Sequence, residues 1–135
     1  MTVPAVSFEF FTPRDLEASF RLWDTVQVLA PLSPRFVSVA LRGDPPKGAT
    51  GFEAHPQGFR DSCELISALK TAGDFTIRVG AYPDKHPEAA GDQADVDWLK
   101  RKIDAGADEA LTQFFFEAET FLRFRDRCAK AGITA

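Results

Sequence analysis

The chain has 135 residues, 44% of them hydrophobic and 27% charged, which is enough for one domain with an apolar core. The formal net charge of −4 disfavours a nucleic-acid partner or an anionic membrane surface. No apolar run is long enough to span a bilayer, and the N-terminal "MTVPAVSFEF" lacks the basic region and cleavage site of a signal peptide. We therefore expect a cytoplasmic protein with a single domain over residues 1–135. A metal site is not expected, because the two histidines and two cysteines form no cluster.

The first half of the chain predicts two strands, each followed by a helix. "AVSFEFF" (5–11) is rich in β-forming residues, and the helical pattern after it begins with Thr12 as the expected N-cap and Pro13 at the first helical position. "RFVSVAL" (35–41) is a continuous apolar run, typical of a strand buried on both faces. A loop rich in glycine and proline then leads to "DSCELISALKTAG", a predicted helix that ends at Gly73.

The second half repeats this alternation. "FTIRVGAY" (75–82) is the third predicted strand, and "DQADVDWLKRKIDAGAD" is a helix with acids first, bases later and Gly106 as its stop, which suits the helix dipole. "EALTQFFF" (109–116) is the fourth strand, and "AETFLRFRDRCAKAG" is a helix that ends at Gly132. Four successive βα units predict an α/β fold with a parallel sheet, which is half of a (β/α)8 TIM-type barrel.

Polar residues lie at the carboxyl ends of the predicted strands, where parallel folds place their chemistry. They are Glu9, Asp44, Tyr82 and Gln113. Glu9 stands between aromatic residues, and an apolar surround favours the neutral carboxyl group of a general acid; an exposed Glu on an edge strand fits the pattern equally well. Asp44 can orient a ligand group or cap a turn, and Gln113 can bind a ligand or a neighbouring backbone group. No GxGxxG or Walker-type loop is present, so neither type of nucleotide site is supported.

Several segments resemble the methylenetetrahydrofolate reductase family in its bacterial flavoprotein form. They are "VSFEFFTPR", "LSPRFVSV", "ALRGDPPKG", "GAYPDKHPEA" and "LKRKIDAGADEALTQFFFEAETFLRFRDRC", and together they cover nearly the whole chain. The resemblance implies a (β/α)8 barrel with non-covalent FAD. It also implies an oxidoreductase of one-carbon metabolism and methionine biosynthesis. NADH or NADPH would supply a hydride by way of the flavin to 5,10-methylenetetrahydrofolate, giving 5-methyltetrahydrofolate.

The resemblance also assigns roles to single residues. Glu9 matches the family's general acid, which helps to open the imidazolidine ring of the folate. Asp44 matches a carboxylate beside the pyrimidine edge of the flavin, and Gln113 matches a residue that contacts both flavin and folate. The positions that match FAD contacts are Leu41, Arg42, Gly43, Asp44, Gly80, Tyr82, His86, Asp95, Arg101, Lys102 and Leu111.

The chain departs from the family pattern at several places. The family has further strand and helix segments between "FVSV" and "ALRGD", whereas here the two motifs are contiguous. The predicted strand 35–41 would then join two family strands between Val39 and Ala40. The last two family strands are also missing. Asp61 stands where the family has tyrosine, and Trp98 where it has a small polar residue.

A four-stranded parallel sheet has two unpaired edges, here the strands near 5–11 and 109–114. A homodimer that closes one barrel from two copies is one way to cover them. Two alternatives to a working reductase also stay open: a non-catalytic half-barrel that binds flavin or a reductase subunit, and an inactive deletion product.

Overall fold

The computed structural model of the chain describes residues 6–13, 15–40, 56, 58–86 and 89–135. In this part of the chain strands and α-helices alternate. The strands are β1 (Phe8–Phe11), β2 (Val37–Ala40), β3 (Ile77–Ala81) and β4 (Glu109–Thr112). The helices are α1 (Leu16–Leu29), α2 (Ser62–Ala72), α3 (Asp92–Asp104) and α4 (Ala118–Lys130), and a 3-10 turn (Ala30–Leu32) follows α1. None of the described helices is long and apolar enough to cross a membrane.

The strands form one parallel sheet in the order β1-β2-β3-β4. Glu9 lies opposite Ser38, Ser38 opposite Arg78, and Arg78 opposite Glu109, so these four residues form one row across the sheet. The order and the direction of the strands confirm the predicted α/β fold, a partial (β/α)8 barrel made of four βα units.

The helices cover one face of the sheet. The strand residues on that face are buried and include Phe10, Val37, Val39, Ile77, Val79 and Ala81. They pack against helix residues that include Val26, Leu65, Leu69, Val96, Leu99 and Phe124. The opposite face carries Glu9, Ser38 and Leu111, which stay wholly or partly exposed. The prediction that the strand 35–41 is buried on both faces is therefore wrong, because the described elements cover only the helix side.

The first helix begins later than predicted. Its N-cap is Asp15, whose Oδ1 accepts a hydrogen bond from the Ala18 N–H at 2.7 Å. Thr12 is buried instead, and its hydroxyl has no hydrogen-bond partner among the residues that the structure describes. A carboxylate caps the free N–H groups of a first helical turn and also meets the positive end of the helix dipole, so Asp15 takes the place expected for Thr12.

The last strand ends four residues earlier than predicted, at Thr112. The Gln113 N–H still donates to the Ala81 carbonyl at 2.8 Å, but the chain then leaves the sheet. Phe115 stacks on Phe121 of α4, with 5.4 Å between the ring centroids. A run of β-forming residues extends as a strand only where a neighbour supplies ladder hydrogen bonds, and beyond Thr112 no described strand does so.

Candidate active site

A cavity of about 180 Å³ lies on the sheet face that the described helices leave open, and it extends from the row of Glu9, Ser38 and Arg78 to the residues that follow β3 and β4. It brings together six of the residues that the sequence marked as site residues: Glu9, Gly80, Tyr82, Lys102, Leu111 and Gln113. These residues come from β1, β3, α3 and β4 and from the segments that follow β3 and β4. Tyr82 and Gln113 meet because the carboxyl ends of parallel strands share one edge of the sheet, whereas Glu9, Gly80 and Leu111 join them from within their strands because they face the same side of the sheet.

Glu9 reaches the cavity as an exposed side chain. The aromatic surround expected from "SFEFF" is not formed, because successive side chains of a strand point to opposite faces. Phe10 accordingly lies in the core on the helix side and is 5% exposed. The carboxyl group of Glu9 is therefore open to a ligand in the cavity.

Gly80 and Gln113 shape the floor of the cavity. A Cβ atom at Gly80 would meet only the Nε2 atom of Gln113, at 3.8 Å, which is an ordinary van der Waals contact. Packing within the protein therefore does not require glycine at this position. The absence of a side chain at Gly80 leaves the sheet backbone accessible from the cavity. Gln113 was expected as a buried amide but is exposed, and its backbone is held by the bond to Ala81.

The segment after β3 is fastened to α3. The ring of His86 makes an edge contact with Tyr82, with centroids 4.8 Å apart. The His86 N–H donates to Oδ2 of Asp95 at 2.9 Å, and Asp95 is only 8% exposed. His86 and Asp95 do not line the cavity; they hold the segment that carries Tyr82 to it.

Lys102 and Arg101 are neighbours on α3 but point to different places. Lys102 is 6% exposed and lines the cavity. Arg101 donates to Oδ2 of Asp61 at 3.2 Å, and its guanidinium lies 4.4 Å from the ring centroid of Trp98. Asp61 and Trp98 are the two point departures from the pattern of the family that the chain resembles. Both contact Arg101, and the structure does not bring Arg101 to the cavity.

Ser38 and Arg78 also line the cavity, although neither was expected from the sequence. Arg78 forms an ion pair with Glu109, and its guanidinium lies 3.8 Å from the ring centroid of Phe36. The signal for Arg78 is the alternation in "IRVGA": Ile77, Val79 and Ala81 are buried, so the residues between them face the other way.

Four predicted residues, Leu41, Arg42, Gly43 and Asp44, lie outside the described residues, and their roles stay predictions. Within the described ranges, no group of three or more His, Cys, Asp or Glu side chains is placed to hold a metal ion.

The family model and the relatives that match this chain carry the same family name. The family model described as methylenetetrahydrofolate reductase matches residues 39–135. The 5,10-methylenetetrahydrofolate reductase of Escherichia coli (strain K12) is 38% identical over 179 residues, covering 95% of this chain and 60% of the relative. The protein of the same name from Buchnera aphidicola subsp. Baizongia pistaciae (strain Bp) is 33% identical over 181 residues, covering 96% and 61%. A Zea mays protein named methylenetetrahydrofolate reductase (NADH) 1 is 39% identical over 107 residues, covering 71% and 18%.

The chain thus spans about 60% of the length of these two bacterial relatives. The match to the Escherichia coli protein runs over 179 residues, more than the 135 of this chain, so that relative carries residues inside the matched region with no counterpart here. The family match begins at Val39, beside the predicted junction with Ala40. Both findings fit the interpretation that β2 joins parts of two family strands.

Proposed function

The chain belongs to the methylenetetrahydrofolate reductase family, and from this premise we propose that its cavity serves the reduction of 5,10-methylenetetrahydrofolate to 5-methyltetrahydrofolate. The observation that carries the proposal is the meeting of Glu9, Tyr82 and Gln113 in one cavity on the open face of a parallel sheet. The reaction needs an acid, a surface for planar ring systems and a polar group for orientation, and these three residues supply them.

FAD is the cofactor that we propose for this cavity, and the residues present suit its ring system. The bare floor at Gly80, the exposed Leu111 and the ring of Tyr82 offer flat apolar contact, and the Gln113 amide offers hydrogen bonds. The cavity of about 180 Å³ is smaller than the roughly 300–1,000 Å³ typical of ligand sites, so the described residues would hold part of a dinucleotide. When bound, FAD would relay the hydride between nicotinamide and folate.

The chain's own residues have separate tasks in this proposal. The carboxyl group of Glu9 donates a proton to the folate nitrogen that is released as the imidazolidine ring opens. Gln113 orients the pteridine part of the substrate through its amide. Lys102 is a buried residue, and its ammonium group offsets negative charge on the cofactor. Asp44 is proposed, by family resemblance, to lie beside the pyrimidine edge of the flavin.

The electron donor is a nicotinamide cofactor, and we propose NADH. The support is the name of the Zea mays relative, which specifies NADH. A comparison of the rates at which NADH and NADPH bleach the FAD-loaded protein tests this choice. Faster bleaching by NADPH would contradict it.

Two half-reactions separate the role of Glu9 from the rest of the site. In the FAD-loaded chain, NADH should bleach the flavin absorbance, and methylenetetrahydrofolate should restore it. Glu9→Gln should leave bleaching within a factor of about three and should slow the folate step by roughly 10²–10⁴-fold, the usual contribution of a general acid. The control is Glu17→Gln, because Glu17 is exposed on α1 and, among the described residues, its ion pair is with Arg21 of the same helix. An equal loss of both half-reactions would contradict the acid role.

A second candidate function is flavin binding without turnover. Two observations favour it: the small volume of the cavity and the capture of Arg101 by Asp61. The same experiment decides between the candidates. A protein that binds FAD but is not bleached by NADH supports the second, and a bleached protein that methylenetetrahydrofolate reoxidises supports the first.

A further inference from the structure

Arg78 lines the cavity but has no task in the proposed reaction. It lies on β3, in the row of the sheet that runs from Glu9 through Ser38. Its side chain is 30% exposed and is held by two contacts. The Nε–H group donates to Oε2 of Glu109 on β4, and Cζ of the guanidinium lies 3.8 Å from the ring centroid of Phe36. The ion pair and the aromatic ring fix the position of a long side chain before any ligand binds.

These two contacts leave the outer edge of the guanidinium unused. An arginine side chain has five N–H donors, and the bond to Glu109 uses the one on Nε. Among the described residues, no group accepts a hydrogen bond from the donors on Nη1 and Nη2. The two terminal nitrogens present parallel donors that match the two oxygens of a carboxylate or a phosphate. Because Arg78 lines the cavity, this donor fork is available to an oxyanion bound there.

The other residues that line the cavity also suit a negatively charged group. Ser38 lies beside Arg78 on β2, and within the described ranges its hydroxyl has no hydrogen-bond partner. Neighbouring strands lie about 4.8 Å apart, so an oxygen held by Arg78 is within reach of this hydroxyl. The charged residues in the described lining are two cations, Arg78 and Lys102, and one acid, Glu9. The cavity thus carries an excess of positive charge, although the whole chain has a formal net charge of −4.

We propose that Arg78 and Ser38 form an oxyanion subsite of the cavity, which binds a carboxylate or a phosphate group of the ligand. The subsite follows from the geometry, whereas the identity of the ligand rests on the proposed function. In that function the oxyanion is a carboxylate of the folate or a phosphate of a dinucleotide. Glu9 does not prevent the binding of an anion. Its Cα lies two strand spacings, roughly 10 Å, from that of Arg78, which is close to the Debye length at 0.1 M salt.

A purely structural role for Arg78 leads to a different expectation. A cross-strand ion pair stabilises the sheet, so its removal lowers the free energy of unfolding but leaves ligand affinity unchanged. An oxyanion subsite predicts a loss of affinity in a chain that stays folded. Binding and stability are therefore measured separately.

Replacement of both members of the ion pair tests the subsite. Arg78→Gln with Glu109→Gln removes the donor fork, leaves no unpaired carboxylate on β4, and removes one positive and one negative charge, so the net charge stays at −4. Two probes represent the two sources. p-Aminobenzoylglutamate carries the carboxylates of a folate without its pteridine, and ADP carries a pyrophosphate without a flavin. Amide chemical shifts of the isotope-labelled 14.9 kDa chain measure each dissociation constant. The doubly substituted chain should bind at least one probe about 10- to 100-fold more weakly than the native chain does.

Arg21→Gln with Glu17→Gln is the matched control, because this ion pair is exposed on α1 and neither residue lines the cavity. The control should bind both probes as the native chain does. Arg78→Lys keeps the positive charge but not the donor fork, so it should weaken binding by a smaller factor, on the order of 5-fold. Urea unfolding shows that each variant is folded, and if the doubly substituted chain does not fold, Arg78→Lys decides by the same comparison.

The outcomes distinguish the two sources of the oxyanion. Weakened binding of p-aminobenzoylglutamate assigns it to the folate, and weakened binding of ADP assigns it to a dinucleotide. Unchanged affinity for both probes in the folded variants, or binding of neither probe by the native chain, would overturn the subsite. None of these measurements uses FAD or hydride transfer. A chain without reductase activity therefore still confirms the subsite if the variants weaken binding, and an active reductase with unchanged probe affinities overturns the subsite alone.

Discussion

Gly80→Val is the sharpest test of the cavity as a flavin site. Gly80 lies on β3 and faces the cavity, and a Cβ there would meet only the Nε2 atom of Gln113, at 3.8 Å. The valine side chain would therefore enter the cavity and not the core. The substitution separates ligand binding from folding, which most changes at a binding site fail to do.

The expected magnitudes have opposite signs for folding and binding. Valine is a better strand residue than glycine by about 0.5–1 kcal/mol, so the free energy of unfolding should stay equal to the native value or rise slightly. A branched side chain in a cavity of about 180 Å³ takes up space that the flavin ring would use. Overpacking of this kind costs about 1–3 kcal/mol, which weakens FAD binding roughly 5- to 150-fold.

Titration of the apo-protein with FAD, followed by flavin fluorescence, measures the binding change, and urea unfolding measures the stability. Gly91→Ser is the matched control, because a Cβ at Gly91 meets no protein atom within 4 Å and the residue lies at the N-terminus of α3, away from the cavity. FAD affinity equal to that of the native chain in folded Gly80→Val would refute the assignment of this cavity to the flavin. A weakened affinity accompanied by lost stability would refute the statement that the two are separable here.

Two further predictions concern stability. The Asp108 carboxylate accepts hydrogen bonds from the Ile77 N–H at 2.8 Å and from Lys70 Nζ at 2.7 Å; burial opposes its ionisation, but these two donors hold the pKa of Asp108 below its ordinary value. A carboxylate with a lowered pKa stabilises the fold above its unfolded pKa of about 3.9, and this stabilisation is lost as the pH falls through the folded pKa. Asp108→Ala should therefore lower the free energy of unfolding by roughly 1 kcal/mol at neutral pH, after allowance for the partial exposure of the side chain. The loss should be smaller in acid. Urea unfolding of the native chain and the variant, at neutral pH and in acid, measures the loss of unfolding free energy in each condition. An equal loss in both conditions would contradict the stabilising role of the Asp108 carboxylate. Gly106 has φ +117° and its Cβ position lies 2.9 Å from Lys70 Cγ, so Gly106→Ala should lower the free energy of unfolding by about 1–3 kcal/mol in thermal denaturation, and an unchanged midpoint would contradict the strain.

The positions of the strand-end residues were predictable because their placement depends on topology alone. Once four βα units are read from the hydrophobic pattern, right-handed crossovers put the carboxyl ends of all strands on one edge. Tyr82 and Gln113 therefore had to approach one another. Glu9 lies inside β1, one row from its start, and lines the same cavity because it faces the open side of the sheet. Gly106 and Gly132 end α3 and α4 as expected, with φ angles of 117° and 72°.

Other features depend on which face of an element meets which neighbour. The family resemblance predicts that Arg101 contacts FAD, which stays a prediction; the structure adds that Arg101 pairs with Asp61, which lies forty residues away in sequence. Local sequence patterns do not predict a salt bridge between residues so far apart in sequence. The position of Arg78 in the cavity depends on which face of β3 the helices cover, and the strand pattern alone does not specify that face.

The sequence by itself determined the order, type and direction of the elements, and with them the edge of the sheet at which the polar residues gather. These follow from local periodicity and from the short connections between elements, which act over a few residues. Only the tertiary structure decided that the described helices cover one sheet face and not the other, that Glu9 is exposed on the second face, and that Phe114 and Phe116 follow the end of β4 as exposed side chains. Whether a residue is buried depends on which element packs against its face, and that packing is set only when the whole chain is folded.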